Sequence, residues 1–134
     1  MSSGSAWLLD TSVVLDLTDP AVLAALPEQT SISVVTAAEL AAGPLLTDDP
    51  VERARRQQRL HEVEAVYDPI PVDASVARAF GSVAAAVRRA GRQPRRRQLD
   101  LLIAAVALAH DLPLGTRNGD DLVGLEQVID VRRL

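Results

Sequence analysis

Nine consecutive residues, Leu101 to Ala109, carry no polar side chain, and the apolar segment around them runs from about Leu99 to His110. That is about half of what a bilayer span requires, so no membrane crossing is expected. A helix that is apolar on every side must be enclosed on every side, which makes this segment the central buried helix of a layered structure. The rest of the chain has to supply the layers.

It does so with alternating strand and helix signals. Ala6 to Leu9 is a short apolar run of strand length, and Asp10, Thr11 and Ser12 behind it are all helix-capping types, so a helix is expected from Val13 to Leu17. Ser31 to Val35 alternates and is rich in β-branched residues, a second strand, with Thr36 capping a helix to about Leu46. Pro50, behind Asp48 and Asp49, opens a third helix to about Val66. Its middle, Glu52 to Arg59, is polar nearly all round, as in a helix that projects from the body or meets a partner. Pro69 and Pro71 cannot donate to a ladder, so any strand between Tyr67 and Val72 lies at a sheet edge. Asp73 caps a helix with Val76, Phe80, Val83 and Val87 on one face and Gly91 as its stop. Beyond the apolar helix, Leu112 to Thr116 is a short strand, Asn118 to Asp121 a turn, and Val128 to Val131 a last strand. Strands separated by helices imply parallel crossovers. The expected fold class is α/β, a three-layer α/β/α sandwich with a central parallel sheet of four to five strands, in one domain over residues 1–134.

Composition narrows the chemistry. The chain has no cysteine, which excludes a disulfide framework, thiol catalysis and Cys-ligated metal sites, and suits a reducing cytoplasm. All 14 basic residues are arginine, so Schiff-base and P-loop lysine mechanisms are excluded. One Trp, one Tyr and one Phe are too few for a base-stacking platform. Met1 to Ser5 holds no basic residue before the apolar run, so no secretory signal is expected and a cytoplasmic location is.

Open α/β sheets collect ligands beyond the carboxyl ends of their strands, near a switch in strand order. Asp10 closes the first strand, Glu39 lies four residues past Val35, Asn118 and Asp121 follow the strand ending at Thr116, and Asp100 opens the apolar helix. Carboxylates gathered there would repel unless a hard cation such as magnesium or manganese joined them. Such an ion, held by one or two carboxylates, activates water for phosphodiester hydrolysis. Each residue also has a plainer use: Asp10 as a helix cap, Glu39 as a solvated helix residue, Asp100 as a dipole partner, and Asn118, Asp120 and Asp121 as turn formers.

Together, four stretches identify the pattern. Leu9-Asp10-Thr11-Ser12-Val13-Val14, Ser33 to Gly43 around Glu39, Asp100 to His110, and Leu114-Gly115-Thr116-Arg117-Asn118-Gly119-Asp120-Asp121-Leu122 follow one another at the spacing of the PIN-domain family. Over nearly its whole length the chain resembles the VapC-type toxins within that family. The resemblance implies a magnesium- or manganese-dependent endoribonuclease, with Asp10 and Asp100 as metal ligands and Glu39 completing the cluster. It further implies that Thr11 or Ser12 supports the first ligand and that Thr116 does similar work at the far strand end. Many PIN domains carry Asp where Asn118 stands, so either Asn118 or Asp121 fills the fourth acidic place. A cognate VapB-type antitoxin, a homodimer and an RNA substrate are implied as partners.

Between Arg88 and Arg97 stand six arginines and no acid, against a chain net charge of −4. A basic strip on an acidic protein suits phosphate contact, and Arg92, Arg95, Arg96 and Arg97 are the expected RNA-binding residues. The plainer account has Arg88 and Arg89 offsetting a helix terminus. His61 and His110, on a polar helix and at a helix end, are poor general-base candidates. Two other function classes stand beside the ribonuclease. Phosphoryl-aspartate chemistry also puts Asp at a strand end, but needs a lysine. A catalytically silent PIN-like module would bind RNA or protein only.

Overall fold

The structure, a computed structural model, describes residues 6–134, with the side chain of Asp121 excepted. Met1 to Ser5, read above for a secretory signal, lie outside the described residues. Four short strands, β1 (Ala6–Leu9), β2 (Gln29–Ser31), β3 (Leu114–Thr116) and β4 (Val131–Arg133), form one parallel sheet in the order β2-β1-β3-β4. Six α-helices connect and cover them: α1 (Thr11–Val14), α2 (Pro20–Ala25), α3 (Val34–Ala42), α4 (Pro50–Val66), α5 (Ala74–Arg89) and α6 (Gln98–Ala109). From β1 the chain moves first to one side, to β2, and later returns on the other side as β3. The order therefore reverses between β1 and β3, where an α/β sheet opens a crevice beyond its carboxyl ends.

The apolar helix is buried along its middle, while Leu99 at its start is 53% exposed and Leu102, Leu108 and Ala109 are half-buried. Leu101 and Ile103 to Ala107 of α6 are at most 1% exposed, packed with Val76, Val83 and Val87 of α5 and with Leu114 of β3. Fully burying a Leu or Ile stabilises the fold by about 1.5–3 kcal/mol, so this helix and α5 anchor one side of the sheet. A second cluster, with Leu9, Val13, Val14, Ile32, Leu40 and Val63, fills the other side. Gly91 ends α5 with φ +81°, a conformation open to glycine. Gly124, φ +98°, is forced by packing as well, because a Cβ there would lie 2.7 Å from Ala90 Cβ and 2.9 Å from the Ala86 carbonyl oxygen.

Several boundaries differ from the sequence reading, each for a local reason. Asp10 itself caps α1, so the helix begins at Thr11 instead of Val13 and stops at Val14. α2 was not foreseen; Asp19 and Pro20 start it in a segment too short for a periodic signal. The second strand ends at Ser31. Ser33 then caps α3 by accepting the Thr36 N–H at 3.3 Å, which puts Val34, Val35 and Thr36 in the helix rather than before it. β-branched side chains prefer strands only weakly, and the Ser33 hydroxyl outweighs them here. The last strand is Val131–Arg133, starting three residues later than expected, because Ile129 is drawn into the core from a turn. Of Tyr67 to Val72 only Ile70 pairs, bridging Ser33 at the edge beyond β2, as the two prolines dictate. No helix among the described residues is long and apolar enough to cross a membrane.

Candidate active site

Beyond the carboxyl ends of β1 and β3, where the strand order leads one to look for a crevice, the side chains hold one another. Asp10 follows β1 directly and is 7% exposed. Its Oδ1 accepts the Ser12 hydroxyl at 2.5 Å and the Val13 N–H at 3.3 Å. Both contacts fall on one oxygen, and Oδ2 has no protein donor among the described residues. Ser12 in turn accepts the Arg117 backbone N–H at 3.0 Å, across from the end of β3. Arg117 is fastened by its guanidinium to Asp16, 3.2 Å, and Asp19, 4.0 Å, so the exit of β3 is tied to the exit of α1. Of the two hydroxyls expected to support Asp10, Ser12 is the one that does.

Thr11 serves Glu39 instead. Its Oγ1 donates to Glu39 Oε1 at 2.6 Å and lies 3.0 Å from Thr36 Oγ1. A hydroxyl has one proton, and Thr11 gives its own to the carboxylate, so Thr36 is the donor to Thr11. Thr36 is fully buried on the turn of α3 before Glu39. It had been read as a cap, and its place one turn from Glu39 on the same helix was the signal that could have marked it. Arg117 was likewise missed, because nothing in the sequence ties residue 117 to residues 12, 16 and 19.

The other predicted residues stand more loosely. Asp100 lies in the first turn of α6, half-buried, 3.9 Å from the Arg97 guanidinium. Leu99 beside it lines a shallow cleft with Glu39, which places the start of α6 next to the α3 side of the crevice. Thr116 is fully buried at the end of β3, but its Oγ1 accepts the Asn118 N–H at 2.9 Å and so holds the turn. Asn118 is exposed at the head of a 3-10 turn over residues 119–122. The side chain of Asp121 lies outside the described residues. Asp120 is exposed in that same 3-10 turn, the turn position expected of it, and also pairs with Arg133 at 3.6 Å. Arg92, Arg95, Arg96 and Arg97 are all exposed, the last three on a 3-10 turn that runs into α6. His61 sits on the exposed face of α4 and His110 ends α6, as read from sequence.

The family model for the PIN domain matches residues 7–124, a span that encloses every acidic residue just described. The chain belongs to the PIN domain family. Two relatives of this PIN domain are ribonucleases of Mycobacterium tuberculosis. Ribonuclease VapC8 is 37% identical over 100 residues, 75% of this chain and 88% of its own length. Ribonuclease VapC5 is 35% identical over 129 residues, 95% of this chain and 93% of its own. Among solved structures, the toxin–antitoxin system VapBC-5 of the same organism superposes with a TM-score of 0.79 at 31% identity, covering 97% of this chain and 99% of that one. The parallel four-stranded sheet between helices is thus the PIN fold.

The donors this PIN domain offers at the crevice are all oxygens. Asp10 and Glu39 make no ion pair among the described residues, while the Asp100 carboxylate faces Arg97. Oxygen donors with uncompensated charge fit a hard divalent ion held through one or two carboxylates. Among the described residues no group of three or more Asp, Glu and His could share an ion, so Asp10, Glu39 and Asp100 do not close a cage by themselves.

Proposed function

We propose that this PIN domain is an endoribonuclease acting as the toxin of a toxin–antitoxin pair, cutting structured cellular RNA by attack of an activated water on a phosphodiester. One observation carries the reading: two acidic side chains, each oriented by a hydroxyl and neither paired with a basic group among the described residues, stand at the strand-order reversal of a PIN fold. Magnesium or manganese held by Asp10 and Glu39, with Asp100 from the start of α6, would make a water acidic and stabilise charge on the phosphoryl oxygen. Ser12 keeps Asp10 turned so that Oδ2 is presented to the crevice. Thr11, supplied with a proton by Thr36, fixes Glu39 and leaves Oε2 for the site. Either Asn118 or Asp121 completes the rim. RNA as substrate and a VapB-type antitoxin as partner are supported by the naming of the relatives as ribonucleases and by the toxin–antitoxin system that the chain superposes on; a homodimer is proposed from the resemblance to VapC-type toxins alone.

The test is cleavage of a structured RNA by the purified chain with magnesium, with manganese and with EDTA. Cleavage that needs a divalent ion and disappears in Asp10→Asn, with the melting temperature kept, is the expected result. The opposing reading, a catalytically silent PIN-like module that binds RNA or protein, draws on the lack of a three-residue acidic group among the described residues. RNA left intact under every ion condition would establish that module instead.

A further inference from the structure

Glu39 faces two clefts, one on either side of α3. The first, about 370 Å³, reaches Leu99 and so adjoins the arginine-rich turn that leads into α6. The second, about 310 Å³, runs the other way, from Thr11 and Glu39 to Glu52, Arg56 and Arg59 of α4. The sequence reads the middle of α4, Glu52 to Arg59, as polar nearly all round. The structure gives it an inner stripe: Val63 is buried, and Arg56 and Arg59, seven and four residues before it, share its face and are half-buried, while Arg53 and Arg55 are exposed.

The charges on this second bank are unequal in use. Arg56 donates to Glu52 at 3.0 Å and to the Gly43 carbonyl at 2.8 Å, and Glu52 is also 3.6 Å from Arg55. Glu52 and Arg56 therefore neutralise each other. Arg59 forms no ion pair among the described residues, not even with the Glu39 carboxylate that lines the same cleft. A guanidinium is always ionised and its fork matches the oxygens of a phosphate. An arginine held on an inner helix face beside an acidic mouth, without a carboxylate of its own, is a seat for the anion that the mouth attracts only through a metal.

On the ribonuclease reading, we infer that Arg59 grips a backbone phosphate of the RNA. The strand then crosses the Glu39 mouth with α4 on one bank and Arg95 to Arg97 on the other. The inference is tested by binding of a fluorescein-labelled RNA hairpin to the chain carrying Asp10→Asn, in magnesium, followed by anisotropy. Adding Arg59→Gln is expected to weaken binding about three- to tenfold and to lower the slope of log K against log salt by about 0.7, the share of one phosphate contact on a single strand. Arg59→Lys keeps the charge and recovers part of the loss, whereas Arg78→Gln, on the exposed outside of α5, changes nothing. In the cleaving protein the same Arg59→Gln change raises KM and leaves kcat within about twofold. Unchanged affinity and salt slope in Arg59→Gln, with the hairpin still bound, would overturn the second bank alone. A hairpin that the intact protein neither binds nor cuts would bring down the ribonuclease reading, and this inference with it.

Discussion

The two sides of the crevice are built on different principles. On the β1 side every acidic group is held: Asp10 by Ser12 and Val13, Ser12 by Arg117, Glu39 by Thr11, Thr11 by Thr36. On the side of α6 and the β3 exit, Asp100 meets a long Arg97 contact at 3.9 Å, Asn118 is exposed, and the arginines are in solvent. The hydroxyl contacts around Asp10 and Glu39 are mostly half-buried and lean on the fully buried Thr36; an unmade contact costs up to about 1–3 kcal/mol where it is buried, whereas exposed ion pairs contribute about 0–1 kcal/mol. The lesson is that the β1 side is set by a chain of hydroxyls reaching into the core, whereas the ion pair described on the α6 side lies nearer solvent.

That contrast can be broken at four places. The largest effect is expected at Ser12→Ala, which removes the proton given to Asp10. Residues behind a metal ligand typically matter about 10- to 100-fold, and manganese affinity by calorimetry should fall in that range together with cleavage. Thr36→Val deletes the head of the second chain. It should lower cleavage about tenfold and destabilise by about 1 kcal/mol in urea titrations, a size usual for a buried hydrogen bond. On the open side, Arg97→Gln should change kcat little and raise KM about threefold; a loss matching that of Ser12→Ala would show that the two sides are equally set. Smallest, and outside the crevice, is Asp73→Ala at the cap of α5. The Val76 backbone N–H, and after it the Ser75 hydroxyl, hold the Asp73 carboxyl below its ordinary 3.8. A lowered carboxyl stabilises the fold above its ordinary value, and that contribution is lost as pH falls through the lowered one. Asp73→Ala should therefore leave cleavage at pH 7 untouched and make the urea midpoint less sensitive to pH below about 4, compared by fluorescence at pH 7 and pH 3.

What the sequence made legible follows from this contrast as well. The burial of α6, the face of α5 and the parallel α/β class could be read because apolar periodicity is a property of neighbouring residues. Asp10 and Glu39 could be placed near strand ends for the same reason. The partners of those residues could not: Arg117 N–H to Ser12, and Thr36 through Thr11 to Glu39, join segments 25 to 105 positions apart in the chain. The inner stripe of α4 does not show in the sequence because Glu52, Arg56 and Arg59 are polar, and a periodicity sought in apolar residues does not register a face made of charged side chains. Where Ser33, not Thr36, starts α3, two hydroxyls three apart compete for one cap, and only the backbone decides.

Among the described residues the Asp10 carboxylate spends one oxygen, Oδ1, on starting α1 and accepting Ser12, and on the proposed reading the other, Oδ2, serves the site. Exchange of that one outer oxygen for an amide leaves the inner carbonyl where it was. A correctly shaped but inert copy of the protein is thus a single atom's identity away, which makes Asp10→Asn a ready bait for fishing out whatever the living enzyme engages before it is consumed.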